Sequence, residues 1–128
     1  MIGKVLTDIL LADPNVSGSV GNKVYPLVGE QNTKPPFLNY NIDSIVPEYT
    51  KNDWIHDASS FSVKATHTSY SGATALIYRV RNALELVKGK YSGVTVSKMK
   101  VTGITEDYDY DADTFIKIMS FRCNINGF

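Results

Sequence analysis

A single cysteine, Cys123, and two histidines, His56 and His67, leave this chain of 128 residues with little soft-metal or nucleophilic chemistry. One thiol cannot close an intramolecular disulfide, and no thiolate zinc cluster can be built within one chain, so a reducing compartment is the simpler expectation. Neither histidine stands at zinc-ligand spacing to the other or to Cys123. A Cys123–His67 dyad would need both side chains to meet across a sheet and a third group to orient the imidazole. The sequence carries no such signature, and a buried inert thiol is the expectation for Cys123. The GxSxG elbow, the Walker A loop, the GxGxxG turn and the HExxH helix are all missing. Gly18, Gly21 and Gly29 are too widely spaced to cradle a phosphate and suit turns instead.

An excess of either charge is missing too. Lys and Arg number 13, as do Asp and Glu, which argues against a sequence-specific nucleic-acid partner with its extended basic footprint. No segment approaches the roughly 18 apolar residues of a membrane span. The opening MIGKVLTDILLADPN has too short an apolar run and no small-residue cleavage site. A soluble, cytoplasmic protein with no membrane partner is therefore expected. Length implies one domain, residues 1–128, able to bury roughly 65 to 70% of its unfolded surface without staples.

What is present begins with YSGATALIYRVRNALELVKGKY, Tyr70 to Tyr91. Ala73, Leu76, Ile77, Val80, Leu84 and Val87 recur at the spacing of a core-facing helix, with Ser69 or Ser71 as N-cap and Gly89 as the residue that closes it. Ile2, Val5, Leu6, Ile9 and Leu10 make a shorter amphipathic helix that Asp13-Pro14 ends. Residues 15–36 are rich in Gly, Ser, Asn and Pro and read as an ordered irregular loop, with at most a helical turn near Val16 to Val20. Leu38, Tyr40 and Ile42 alternate with polar residues, as in a half-buried strand after Pro35-Pro36. Phe61, Val63, Ala65 and His67 do the same in an antiparallel second strand from Ala58 to Thr68. Between these strands Val46 to Asp57 reads as a loop. A third strand runs from about Val94 to Glu106, with a bulge or change of face near Ser97. In a fourth, Thr114 to Asn126, Phe115, Met119, Phe121, Cys123 and Ile125 share one face. The expected fold is α+β, a four-stranded, mainly antiparallel sheet with two helices packed on one face in the order α-β-β-α-β-β.

Asp107, Asp109, Asp111 and Asp113 alternate as calcium ligands can. The glycine and glutamate that an EF-hand needs at its sixth and twelfth positions are Ala112 and Ile118 here, so a solvated turn between strands is preferred to a metal site. No cofactor is implied. The aromatic residues outnumber the places on the core faces: Tyr49, Trp54, Tyr70, Tyr78, Tyr91, Tyr108 and Tyr110 include several in loops. Such residues either pin loops locally or serve as contact anchors, and both readings stand. Neutral charge, the missing catalytic constellation and aromatic loops together favour an interaction protein over an enzyme.

The order of segments carries a resemblance. GKVLTDILLADPNV, the Gly21 to Pro26 stretch GNKVYP, Pro36-Phe37 entering FLNYNI, SFSVKATHTSYSGATALIYRVRNAL from Ser60 to Leu84, and EDYDYDADTFIKIMSFRCNI together resemble the tail-component family of tailed bacteriophages and prophages, similar to tail terminator (tail completion) proteins. That resemblance implies a structural virion tail subunit without catalytic residues. It would assemble in the host cytoplasm as a homo-oligomeric ring, commonly a hexamer, cap the tail tube protein and join it to head-tail connector proteins. Contact elements expected on this reading are the stretch Val46 to Asp57 with Tyr49 and Trp54, and the tip with Tyr108, Asp109, Tyr110 and Asp111. Arg79, Arg81 and Lys88 on the far side of the long helix complement that acidic tip in charge. The alternatives are a head-closure or neck connector subunit, a small metal-dependent hydrolase using the four aspartates, and a host ligand-binding module.

Overall fold

The computed structural model describes residues 2–26, 34–50, 53–91 and 93–126; the side chains of Thr50, Asp53, Trp54 and Ile55 lie outside the description. Three helices and seven strands occur among the described residues. In chain order they are α1 Ile2–Ala12, α2 Pro14–Val20, β1 Val24–Pro26, β2 Phe37–Thr50, β3 Asp53–His67, α3 Tyr70–Leu84, β4 Gly89–Tyr91, β5 Val94–Val96, β6 Lys100–Asp109 and β7 Thr114–Asn126. The expected four-stranded sheet with two helices is thus corrected. One sheet runs in the order β1-β2-β3-β7-β5-β4, with β6 beside β7, and it curls into a half-barrel.

Each added element has a local cause. Asp13 both ends α1 and begins α2: its side chain accepts the amides of Asn15 and Val16, and Pro14 fills the first helical turn, where a missing N–H costs nothing. Val16 and Val20 then face the core, so the helical turn expected near them is a seven-residue helix, while residues 27–33 of the expected loop lie outside the described residues. Val24–Pro26 pairs parallel to Leu38, Asn39 and Tyr40 and starts the sheet.

Ser69 caps α3, its hydroxyl accepting the Gly72 amide at 3.0 Å, and Ala73, Leu76, Ile77, Val80 and Leu84 are buried as their spacing requires. The helix stops at Leu84, short of Gly89. Leu86 turns left-handed at φ 63°, its amide donates to the Met99 carbonyl at 2.7 Å, and Met99 donates back to Val87 at 3.0 Å. Ladder bonds to the Met99 strap therefore replace another helical turn, and Gly89–Tyr91 becomes an edge strand beside β5. The expected third strand is divided. Ser97 exchanges bonds with Asn124, fully buried Met99 inserts into the core, and β5 and β6 pair end to end along the same edge of β7. A further register shift falls between Val101 and Gly103.

The core lies between one sheet face and the helices. Leu38 of β2, Phe61, Val63 and Ala65 of β3, and Met119, Phe121, Cys123 and Ile125 of β7 meet the apolar stripes of α1, α2 and α3 in one cluster. The strand-to-helix junction is close-fitting. The His67 ring lies over Gly72, where an added β-carbon would stand 2.4 Å from its Cε1, and the Ser69 amide donates to His67 Nδ1 at 3.1 Å. Alanine is better than glycine inside a helix by about 1 kcal/mol, yet Gly72→Ala is expected to lower the urea midpoint because the ring must leave. In a His67→Ala background the same substitution should raise it; a rise in both backgrounds would show that the ring yields freely.

Candidate contact surfaces

The segment Val46 to Asp57, expected as a loop, is the outer part of a hairpin. β2 continues to Thr50 and β3 begins at Asp53, with partners from Val46↔Ala58 to Thr50↔Asp53. Pro47 does not prevent this because β1 pairs only as far as Tyr40, so among the described residues β2 is an edge strand there and an edge tolerates proline. On the other side β7 pairs β3 only from His67 back to Asp57. Past that point the two strands have only each other among the described residues and form an arm beyond the sheet. Among the described residues the arm exposes Tyr49 at 61%, and at its base on the edge strand β2 Ile45 is exposed at 38% and Val46 at 54%. Glu48 Oε2 and His56 Nε2, 3.0 Å apart, tie its strands together. Trp54 is the backbone partner of Tyr49; its side chain lies outside the described residues.

The turn joining β6 and β7 is stiffened by the aspartates that drew attention as ligands. Asp109 Oδ1 accepts the amides of Asp111 and Ala112 at 3.0 and 3.2 Å, and Asp113 adopts φ 53° and accepts the Tyr108 hydroxyl. The Asp113 carboxylate beside it raises the Tyr108 hydroxyl pKa. Tyr108 packs between Phe115 and Tyr110, with ring centroids 4.9 and 4.8 Å away. Tyr110 itself is 87% exposed at the tip. Among the described residues no three carboxylate, imidazole or thiol groups converge as metal ligands. Tyr108 and Tyr110 therefore have different jobs: one holds the tip, the other projects from it.

The base of this hairpin is fastened to the start of α3. The Tyr70 hydroxyl donates to Glu106 Oε2 at 2.8 Å, while Lys117 donates to both that carboxylate and the Tyr70 oxygen, and lies 4.4 Å over the Tyr70 ring. The Lys117 bond, aided by Tyr70, holds the Glu106 carboxyl below the usual range, and Glu106 in turn raises Lys117. A lowered carboxyl contributes stability above its unfolded pKa and loses it as pH falls through the folded value. A raised ammonium contributes below its unfolded pKa and loses it as pH rises through the folded one. The clamp is accordingly closed across the neutral range.

On α3 the basic residues are differently placed. Arg79 donates to the Ser19 hydroxyl of α2, and Arg81 pairs with Glu85 at 2.5 Å, which raises the arginine and lowers the carboxylate. Lys88 is exposed beyond the helix end. A second basic group, which the sequence did not single out, is assembled only by strand pairing. Lys98, Lys100 and Arg122 line a groove of about 490 Å³ with Glu48, His56 and Thr102. Lys100 and Arg122 are direct cross-strand partners. Their alternation with Met99 and Cys123, which point inwards, is a signal visible in hindsight; the register that joins them is not.

Cys123 is 3% exposed, and burial pushes its thiol up to about 11. The native protein should therefore resist iodoacetamide at pH 8 and react fully once unfolded in urea; rapid native alkylation would contradict the burial of this strand face.

A model of the family described as "Tail completion protein gp17" matches residues 4–125. No curated protein matches the chain. Among solved structures the chain is similar to one described as "Virion of native gene transfer agent (GTA) particle", at TM-score 0.83 and 16% identity, covering 98% of this chain and 95% of the other. At that identity the likeness is one of fold.

Proposed function

The chain belongs to the tail completion protein gp17 family, matched over residues 4–125, and on that premise we propose how a structural tail protein of the virion does its work. It assembles with other tail and head proteins as part of the tail. In our reading copies of this chain form a ring, a hexamer, on the last disc of the tail tube. The ring stops tube growth and presents the opposite surface to the head-tail connector proteins, after assembly in the host cytoplasm. It works by binding and catalyses nothing.

The observation that carries this reading is the two-stranded arm of β2 and β3, which leaves the sheet with Tyr49 in water and with Ile45 and Val46 exposed at its base. Edge strands with unpaired backbone groups accept another chain, and exposed aromatic and aliphatic side chains bury well on a partner. The arm, with Tyr49 and Trp54, and the tip, with Tyr108, Asp109, Tyr110 and Asp111, are the assigned contact elements. Arg79, Arg81 and Lys88 border the same assembly as secondary contacts. The likeness to a chain of a gene transfer agent virion supports a phage-like particle as the setting.

Tube polymerisation tests the reading. Purified tail tube protein is grown in the presence of increasing amounts of this chain, and lengths are measured by electron microscopy. Shortened tubes bearing extra density at one end are expected. Lengths independent of the added chain would refute the capping role.

A further inference from the structure

Strand pairing sorts the balanced charge of this chain into two blocks on one ribbon. Asp107, Asp109, Asp111 and Asp113 sit at the tip of the β6–β7 hairpin, while Lys98, Lys100 and Arg122 sit at the opposite end of the same two strands. From Lys100 to Asp109 the strand spans about 30 Å at roughly 3.3 Å per residue, so the blocks cannot meet within one subunit. The basic block is also unfavourable by itself. Lys100 faces Arg122 directly across the ladder, where like charges destabilise a sheet, and none of the three cations has an ion-pair partner among the described residues. The one carboxylate in the groove, Glu48, is bonded to His56. At the tip, by contrast, Asp109 and the Tyr108–Asp113 bond hold the backbone in a set shape, Asp111 has no side-chain partner among the described residues, and Tyr110 projects. A preformed tip loses little entropy on binding.

We propose that the acidic tip of one copy seats in the Lys98, Lys100 and Arg122 groove of the next copy, with Tyr110 entering beside the carboxylates. The contact joins different surfaces of the two copies, and repeated around an axis it closes a ring. The arrangement rests on the ring reading above and specifies which surfaces meet. It differs from a pairing of the tip with α3, where Arg79 and Arg81 already bond to Ser19 and Glu85.

Charge reversal provides the test, with the full chain added to tail tubes and assembly followed by sedimentation and electron microscopy. Asp107→Lys with Asp111→Lys brings the four-aspartate tip to zero net charge and sets two lysines against the basic groove; Lys98→Glu with Lys100→Glu makes the groove acidic. Each pair should raise the concentration for half-assembly about tenfold or more, since opposed like charges disfavour a contact strongly. An equimolar mixture of the two variants, or all four changes in one chain, should restore assembly. Circular dichroism and the urea midpoint check that each variant folds, and Lys98→Gln with Lys100→Gln supplies a milder version of the groove change expected to act in the same direction. Assembly of both reversed variants at wild-type concentration would overturn the contact and leave the ring reading standing. A groove variant that fails while the tip variant assembles would assign the groove to another anion, such as nucleic acid, and also overturn it. Wild-type chain that forms no ring on tubes would overturn the ring reading and this contact together.

Discussion

Phe61→Ala is expected to cost about 3 to 5 kcal/mol of folding stability, the range for truncating a large aromatic in a well-packed core. Phe61 is fully buried in β3 and stacks on Phe121, its register partner in β7, with centroids 5.2 Å apart and planes 12° from parallel. It stands where the two central strands meet the apolar stripe of α3, so its removal leaves a cavity that neither a rigid ladder nor a capped helix can close. Urea unfolding of the purified chain measures the loss. Ser60→Ala, one position along and on the other face, should change stability by no more than about 0.5 kcal/mol. A loss below about 1 kcal/mol at Phe61 would contradict the placement of the core on this face.

The second large effect concerns association. Replacing Ile45, Val46 and Tyr49 together with threonine keeps residues suited to a strand while removing the exposed apolar surface of the arm and its base. Folding stability should stay within about 0.5 kcal/mol of the original, as for other exposed positions. Assembly should weaken by about 100-fold or more, because a buried tyrosine anchor alone contributes about 2 kcal/mol or more and each 1.4 kcal/mol is roughly a factor of ten. Most of the loss should reappear in Tyr49→Ala. Unchanged assembly of the triple variant would remove the arm from the contact surface.

Periodicity carried the parts of this fold that repeat. The stripe Ala73, Leu76, Ile77, Val80 and Leu84, the face of α1 and the alternation in β3 and β7 all follow from the geometry of one element, and those side chains are buried except Ile9, His67 and Phe115, which are half-buried. Elements whose shape depends on a distant partner could not be read in this way. Leu86 leaves the helical pattern because the Met99 backbone offers it a hydrogen bond. The arm extends through Pro47 because it lies at an edge, and edges are a property of the whole sheet. Val94 to Glu106 divides because β7 has one edge to give to two strands. Asp13-Pro14 was legible as a stop but serves equally as a start, since the same aspartate caps the helix that follows.

The contact residues divide along the same line. Tyr49 and Tyr110 stand in water, as aromatic residues beyond the capacity of the core must. Tyr108 was grouped with Tyr110 by sequence, yet it packs on Phe115 and holds the turn. The three basic residues of the groove are separated by up to 24 positions in the chain, from Lys98 to Arg122, and only the pairing of β6 with β7 brings them together. Arg79 and Arg81, which looked free on a helical wheel, have partners within the subunit.

Electron microscopy of tail tubes mixed with the wild-type chain addresses the central claim most directly. The account predicts a closed ring of six copies at one end of each tube, with the tube wall free of the protein and no further tube growth at that end. Bare tube ends at saturating protein, or copies bound along the wall, would contradict it.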